Sequence, residues 1–398
     1  MAIHEPEHMI SVPEHEKDTV TTGEKKDQEV PVVVIPGAFK FPTSSHWWSG
    51  IGSPLGIAMV SIVVMLGLLS FSLGAAQTTA TSGGTRASSA SSGSTTGMSM
   101  NSTSSTSTAN VPNATEDHGN QLASYVIDKD GAKHFTFTAK QVMWEVVKGH
   151  RVLAWTINGM VPGPMIRVQA GDHIRVTFNN AFPTPTAIHW HGLEVPTQQD
   201  GVSGVGQDPI QPGQSHLYDF TVTNNDIGTH WYHSHYNDMT QVMGGFYGAF
   251  IVDPRPGTPQ AAQAIHADVD VTEFISTMPE NYYVINGKSF PDTQPINVKH
   301  GQTVHMRLIG ADTTAMHPMH LHGHTFSIVA EDGHAVPQPV QKDTVQVAPG
   351  ETYDLVFTAW AAPGSIYPFH CHILSHLMNP GQSEGEMGGL IVLIEYAK

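Results

Sequence analysis

The single cysteine of the chain lies in a histidine-rich segment, Tyr367-Pro-Phe-His-Cys-His-Ile-Leu-Ser-His376. A lone cysteine has no partner for an intramolecular disulfide, so Cys371 is available as a thiolate ligand. Free cysteines are more often packed as small hydrophobic residues, but the three neighbouring histidines favour a metal site. In a β-strand, Cys371 would point to one face, and His370 and His372 to the other. One strand could therefore serve two metal centres.

A trigonal site of two histidines and one cysteine, with a weak axial thioether, is the ligand set that binds copper for electron transfer. Cys371 and His376 supply two of these ligands, and a second histidine must come from elsewhere in the chain. Met387, in the segment Gly385-Glu-Met-Gly-Gly-Leu-Ile, is the candidate for the thioether.

An internal repeat indicates two homologous domains. The segment Gly171-Asp-His-Ile-Arg-Val leads to a His-Trp-His-Gly motif, and Gly301-Gln-Thr-Val-His-Met leads to His-Pro-Met-His-Leu-His-Gly. Likewise a His-Ser-His motif before Met243-Gly-Gly matches His-Cys-His before Met387-Gly-Gly. The division falls near Asp253-Pro-Arg-Pro-Gly257.

Each half carries two His-x-His pairs, and the members of a pair project from one face of a strand. The four pairs are His189 and His191, His233 and His235, His320 and His322, and His370 and His372. Eight imidazoles are too many for one metal ion and suit about three. The repeat also aligns Thr186, Ser234 and Met239 with His317, Cys371 and His376. The copper site with a cysteine ligand can therefore exist only in the second half.

The elements that must position these residues are predicted to be strands. Segments with period-two alternation, such as His134-Phe-Thr-Phe-Thr and His173-Ile-Arg-Val-Thr-Phe, are separated by Pro and Gly, and no segment after residue 120 has the pattern of a long amphipathic helix. This pattern predicts an all-β sandwich or barrel. The net charge of −17 argues against nucleic acid or an anionic membrane surface as a partner. The 25 histidines, clustered as above, are typical of metal binding.

The first third of the chain has a different composition. Residues 1–50 are polar and predicted to be a disordered tail, and residues 51–76 form an apolar segment long enough to span a membrane. Residues 77–118 are rich in Ser, Thr and Gly and are predicted to be a flexible linker. Lys25, Lys26 and Lys40 precede the span, which predicts a cytoplasmic N-terminus and a single-pass protein of the cell membrane with its catalytic domains outside the cytoplasm. The alternative is a cleaved signal segment and secretion.

As a set, the four histidine motifs resemble those of multicopper oxidases, and specifically the two-domain, laccase-like class called small laccases. The resemblance covers roughly residues 121–398. It implies two tandem cupredoxin-like Greek-key β-sandwich domains, residues 119–257 without type 1 copper and residues 258–398 with it. It also implies about four copper ions per chain: one type 1, one type 2 and a type 3 pair.

The resemblance implies a role for each ligand. By position in the motifs, the type 1 ligands would be His317, Cys371, His376 and Met387, the type 2 ligands His189 and His320, and the type 3 ligands His191, His233, His235, His322, His370 and His372. The spacing from His376 to Met387 is longer than the usual family pattern, so Met378 is a rival axial ligand. Ser375 and Leu374 stand where several relatives have an acidic residue, so neither position supplies a carboxylate for a second proton path. Asp200 resembles the acidic residue beside the family's cluster and is the candidate proton relay; a simple turn aspartate before Gly201 is the alternative.

The activity implied is the one-electron oxidation of phenols, aromatic amines or metal ions, coupled to reduction of dioxygen to water. Electron donors are expected to approach the ring edges of His376 or His317. Because the cluster draws ligands from both domains, it is expected at the interface between subunits of a homotrimer. A cluster within one chain is the alternative. One competing function is a copper-containing nitrite reductase, a family that keeps its type 1 site in the first domain and lacks the complete His-Cys-His set. The other is a non-catalytic copper-binding electron carrier, which would not need the eight further histidines.

Overall fold

The computed structural model describes residues 110–398. The predicted tail, the predicted membrane span and most of the predicted linker therefore lie outside the described residues. Within residues 110–398, no helix is long and apolar enough to cross a membrane. The regular secondary structure of the described part is almost entirely β-strand, which confirms the all-β prediction.

The first half of the described chain contains nine strands and one short helix. Their bounds are β1 (Tyr125–Ile127), β2 (Lys133–Val147), β3 (His150–Ile157), β4 (Ile166–Gln169), β5 (His173–Asn180), β6 (Ile188–His191), β7 (Ser215–Thr221), β8 (Gly228–Ser234), α1 (Asp238–Met243) and β9 (Tyr247–Asp253). Single 3-10 turns lie at Thr197–Gln199, Asn224–Asp226 and Ala261–Gln263.

The second half of the described chain contains eleven strands. Their bounds are β10 (Val269–Met278), β11 (Tyr282–Ile285), β12 (Ile296–Val298), β13 (Thr303–Gly310), β14 (His317–Leu321), β15 (Phe326–Glu331), β16 (His334–Lys342), β17 (Thr344–Val347), β18 (Thr352–Thr358), β19 (Ile366–Cys371) and β20 (Ile391–Tyr396). Single 3-10 turns lie at Pro279–Asn281 and Leu374–Leu377.

Each half is built from two sheets. In the first half β1-β2-β5-β7, with β3 on β2, forms one sheet, and β4-β9-β8-β6 forms the other. In the second half the sheets are β11-β10-β13-β18-β15-β16 and β12-β20-β19-β14-β17. Alternate residues of the strands are buried, as the strictly alternating burial of β5 illustrates. Each half therefore has an apolar core of its own between two sheets.

A third apolar cluster joins the two halves. Trp231 and Tyr247 from the first half pack in one cluster with Phe274, Met278 and Ile309 from the second. The buried Trp144 ring is fixed across the same boundary, because its Nε1 donates a hydrogen bond of 2.6 Å to the carbonyl oxygen of Gly287. The two sandwiches are therefore held by a continuous hydrophobic interface.

Buried charges lie along this interface. Arg307 Nη1 donates to Thr229 Oγ1 at 2.6 Å, and that hydroxyl donates to Asp354 Oδ1, also at 2.6 Å. Burial opposes ionisation of Asp354, but the neighbouring His305 and Arg307 hold the pKa of its carboxyl below the usual range. Arg307 pairs with both Asp270 and Asp354, and Asp354 also pairs with His305, so each of these buried charges is compensated.

Part of the predicted linker is incorporated into the fold. The amide of Met143 in β2 donates to the carbonyl of Pro112 at 2.8 Å, and the amide of Ala114 donates to the carbonyl of Met143 at 3.0 Å. Ala114 also packs against the apolar cluster between the two halves. These residues are ordered because their backbone groups pair with a strand, which composition alone does not reveal.

The buried carboxyl of Glu273 in β10 should make the stability of the fold depend on pH. Its side chain is buried, and burial raises the pKa of its carboxyl from 4.5 to about 8. Between these pH values the unfolded chain has lost the proton and the folded chain keeps it, so stability falls as pH rises. We expect Glu273→Gln, which keeps an acceptor for Asn286 Nδ2, to raise the melting temperature more at pH 8 than at pH 5. The exposed Glu384→Gln is the control; a gain independent of pH would contradict the neutral carboxyl.

Candidate metal centres

Two histidines and the cysteine converge in the core of the second half. His317 begins β14, Cys371 ends β19, and His376 lies in the 3-10 turn after β19. Cys371 Sγ is 3.8 Å from His317 Nδ1 and 3.6 Å from His376 Nδ1, and the two nitrogens are 3.2 Å apart. A point equidistant from the three atoms lies about 2 Å from each, which is a metal–ligand distance. The donor set and its spacing therefore fit a copper ion.

Strand pairing explains this convergence. Met319 of β14 lies opposite Cys371 of β19, and alternation sends Cys371 into the core, where it is fully buried. The amide of Ile373 donates to Cys371 Sγ at 3.4 Å, a contact that would stabilise the thiolate formed when a metal ion binds. His370 and His372 leave the opposite face of the same sheet, where they are partly or fully exposed. Cys371 therefore lies on one face of the sheet and the two neighbouring histidines on the other, as the alternation along the strand predicts.

Burial prepares these groups for an ion. Burial, with His317 nearby, lowers the pKa of His376 to about 4, so its ring is neutral and able to ligate near neutral pH. Burial raises the pKa of the Cys371 thiol to about 11. A bound metal ion must therefore displace the thiol proton, so ion binding releases a proton.

Asp312 orients His317 from behind. Its Oδ2 accepts a hydrogen bond of 3.0 Å from His317 Nε2, which leaves Nδ1 directed at Cys371. Burial opposes ionisation of Asp312, but donors that include His317 and the Thr277 hydroxyl hold the pKa of this carboxyl well below its usual range. An anion bonded to a ligating imidazole raises the basicity of that imidazole.

Asp312→Asn is expected to raise the reduction potential of the copper at this site. The negative charge behind His317 favours Cu(II) over Cu(I), and loss of such a partner weakens metal binding about 10–100-fold. Applied to Cu(II) alone, with Cu(I) binding unchanged, this loss corresponds to a rise of about 60–120 mV, at about 59 mV per tenfold change for one electron. A potentiometric titration of the blue absorbance measures it. Thr277→Val keeps the carboxylate and should shift the potential less; an unchanged potential in Asp312→Asn would rule out this role.

The axial ligand stays a prediction. The Met387 side chain is 55% exposed, in contrast to the three buried ligands, and its backbone carbonyl accepts from Gln382 Nε2. Met378 is partly buried and lies two residues after His376. The structure therefore leaves both methionines open as the thioether.

The matching place in the first half is filled by a glutamine. Gln241 of α1 is fully buried, and its Oε1 accepts from Thr186 Oγ1 at 2.7 Å and from Ser234 Oγ at 2.6 Å. Met239, which aligns with His376, is 63% exposed. A hydrogen-bonded side chain therefore occupies the volume where the second half has its three ligands.

The histidine pairs of the first half form one set on the outer face of β6 and β8. His191 Nδ1 and His233 Nε2 are 3.2 Å apart, and ligand atoms of His189, His191 and His233 lie within 4.8 Å of one another. The His235 ring is 5.4 Å from the His189 ring, centroid to centroid. Burial lowers the pKa of His191 to about 4 and of His233 to about 3, so both are neutral ligands.

The histidine pairs of the second half form an equivalent set on the outer face of β14 and β19. His322 Nε2 and His370 Nε2 are 2.8 Å apart, and the ring centroid of His320 is 5.7 Å from that of His372. His320 Nδ1 donates to the carbonyl of Asp343 at 2.9 Å, as His189 Nδ1 donates to the carbonyl of Asp200 at 2.8 Å. In both sets this bond leaves Nε2 of the predicted type 2 ligand free.

The two sets are separate within the described chain. Among residues 110–398, the ring contacts between these eight histidines join members of the same set only. The turn at Gly350, between β17 and β18, lies against His191 instead: a Cβ at Gly350 would be 3.4 Å from the His191 ring. The geometry therefore presents two half-sites.

Asp200 lies beside the first half-site. Its Oδ1 is 3.3 Å from His189 Nδ1, and about a third of its side chain is exposed. The close approach depends on Gly201, whose φ is +81° and whose missing side chain leaves room for the carbonyl of Ile188. Both the turn and the carboxylate beside a predicted ligand are therefore present.

Three residues of these sites escaped sequence reasoning. Asp312, Gln241 and Tyr283 act through contacts between distant segments, and none lies in a repeated motif. The only signal was an aspartate five residues before His317, at the end of an apolar strand. The Tyr283 ring stacks on His376 with the ring centroids 4.0 Å apart.

Comparison with known proteins adds an independent observation. Family models described as multicopper oxidase match residues 121–257 and 253–380. The chain is similar to the solved structure of a blue copper oxidase from Nitrosomonas europaea, with 33% identity, a TM-score of 0.59, and coverage of 66% of this chain and 85% of that one. The solved multicopper oxidase mgLAC gives 37% identity, a TM-score of 0.60, and coverage of 66% and 86%. The described fold is therefore a cupredoxin-like sandwich.

Curated relatives include plant laccases. Laccase-19 of Oryza sativa subsp. japonica is 30% identical over 260 residues, which are 58% of this chain and 42% of the relative. The chain thus spans less than half the length of the curated relatives it matches.

Proposed function

This chain belongs to the multicopper oxidase family, and we propose that it is a laccase-like oxidase with dioxygen as electron acceptor. A small donor is oxidised at a type 1 copper, and dioxygen is reduced to water at a trinuclear copper cluster. The observation that supports this most strongly is the His370-Cys371-His372 segment. Cys371 forms a trigonal site with His317 and His376 on one side of the sheet. On the other side, His370 and His372 belong to the second set of histidines.

The residues of the chain hold and orient about four copper ions. His317, Cys371 and His376 would hold the type 1 ion, with Met387 or Met378 as a further ligand. His189 and His320 would hold the type 2 ion, and the type 3 pair would be held by His191, His233, His235, His322, His370 and His372. Bound copper supplies one-electron chemistry, and several ions are needed because reduction of dioxygen to water takes four electrons.

Proton supply is assigned to Asp200. Its carboxyl Oδ1 is close to His189 and partly open to solvent, so it can take a proton from water and hold it beside the cluster. Its backbone carbonyl, by accepting from His189 Nδ1, keeps that imidazole oriented.

The cluster is completed by a second copy of the chain. Each half-site has only part of the ligands, and the second half-site includes the exposed side chains of His322 and His372. A head-to-tail homotrimer, in which the first domain of one chain meets the second domain of the next, closes three such clusters by cyclic symmetry.

The apolar segment 51–76 would place the two cupredoxin-like domains at the cell membrane. With lysines before the span, the catalytic domains lie outside the cytoplasm, joined to the membrane by the Ser/Thr-rich linker of residues 77–118. Secretion after cleavage of the segment is the alternative. Detection of the full-length chain in washed membranes distinguishes the two.

Oxygen uptake tests the activity. The purified, copper-loaded chain is expected to consume one dioxygen for every four molecules of a phenolic one-electron donor, without hydrogen peroxide. The control is nitrite under argon with the same donor. Nitrite reduction without oxygen uptake would indicate a nitrite reductase, and neither reaction would indicate an electron carrier; each result would overturn the proposal.

A further inference from the structure

The ligands of the type 1 site are closed to solvent. His317 is 1% exposed, His376 is 7% exposed and Cys371 is fully buried. A donor that approaches the ring edges of His376 or His317 therefore meets little exposed ligand surface, and another side chain lies against both rings.

That side chain is Tyr283 of β11. Its ring is 4.0 Å from the His376 ring, centroid to centroid, with an angle of 20° between the planes, which is a stacked contact. The same ring meets His317 at 6.4 Å and 72°, an edge-to-face contact. Tyr283 itself is only partly buried. It thus lies between both histidine ligands and the solvent.

The chain fixes this arrangement on both sides. Ser289 Oγ donates to the carbonyl of Tyr283 at 2.9 Å and also contacts Asn379, three residues after His376. Asn379 Nδ2 in turn donates to the carbonyl of Phe290 at 2.9 Å. The strand that carries Tyr283 and the loop that carries His376 are therefore tied to each other, so the stacked contact is built into the fold.

We propose that Tyr283 is a specificity-determining residue of the type 1 site, and that its outer face stacks planar aromatic donors. This inference rests on the proposed oxidase function, and it predicts that the electron donors are aromatic molecules rather than low-valent metal ions. A bound phenol loses one electron to the type 1 Cu(II), which becomes Cu(I), and releases its hydroxyl proton to water. Aromatic rings prefer offset stacking, and such pairs contribute about 0.5–1.5 kcal/mol beyond area burial.

Anaerobic reduction of the blue absorbance in stopped flow tests the proposal with two donors. A planar phenol can stack, whereas hexacyanoferrate(II) transfers an electron without stacking. Tyr283→Leu should slow reduction by the phenol about 3–10-fold and leave hexacyanoferrate(II) unchanged or faster. Tyr283→Phe keeps the ring and should behave like the wild type. Equal slowing of both donors, or of neither, would overturn the proposal.

A readout on the copper-free chain separates this proposal from the proposed function. Diethyl pyrocarbonate should modify His376 slowly in the wild type and in Tyr283→Phe, and faster in Tyr283→Ala, with the exposed His266 as internal reference. Equal modification of His376 in all three would show that Tyr283 is no cover, whatever the oxidase assay gives. If His376 is protected but the loaded wild type oxidises no donor, the oxidase function fails instead.

Discussion

The variant Cys371→Ser is expected to lose the blue absorbance and to oxidise donors no faster than the copper-free protein. The thiolate is the ligand that gives the trigonal site its charge-transfer band and its electron path, and a hydroxyl is a poor substitute for it. The predicted cluster ligands of this domain lie on the opposite face of the sheet, and those of the first domain lie on another sheet, so the variant should lose one copper ion per chain and retain the rest. Visible absorbance, copper content and oxygen uptake on the same sample measure these effects.

Ser234→Ala is the matched control, because Ser234 takes the place of Cys371 in the first domain. It removes one hydrogen bond to Gln241, at a cost of about 1 kcal/mol of stability, and should leave colour and activity intact. Blue absorbance that survives in Cys371→Ser would show that the ligand assignment is wrong.

Two inactive variants are expected to complement each other when they are expressed together. The double variant His189→Ala/His191→Ala destroys the first half-site, and His320→Ala/His322→Ala destroys the second. Each alone should keep the blue band and lose oxygen uptake, because the type 1 site is intact and the cluster is not. In the proposed homotrimer, an interface between two different variants is complete when it joins the intact first domain of one variant to the intact second domain of the other.

Random assembly makes roughly one interface in four complete, so co-expression should restore about a quarter of wild-type oxygen uptake. As a control, two copies of the same double variant, each with a different affinity tag, are expressed together. This sample should stay inactive. If a mixed sample that contains both chains in one oligomer shows no uptake, the cluster does not form between subunits.

The sequence predicted the candidate metal sites best where ligand-type residues recur at the spacing of a β-strand. The cysteine flanked by histidines and the repeated His-x-His pairs predicted which residues lie together, and the period-two alternation predicted the strands that hold them. Cys371 and His370 illustrate the reason: neighbours on a strand must face opposite ways, so the motif fixes the geometry without knowledge of the rest of the fold.

Contacts between distant segments could not be predicted in the same way. Tyr283 and His376 are stacked although 93 residues separate them. The hydrogen bonds of Gln241 to Thr186 and Ser234 likewise depend on how α1 packs in the first domain. Such contacts are set by tertiary packing, which a single sequence does not encode as a local pattern. The covered type 1 site therefore emerged only from the structure.

Copper content per chain tests the central claim most directly. The purified, copper-loaded chain should contain about four copper ions per chain, since the type 1 site and a complete trinuclear cluster require that number. Two or fewer ions per chain, in a sample with the blue absorbance of the type 1 site, would mean that the two half-sites do not form a trinuclear cluster and would contradict the account.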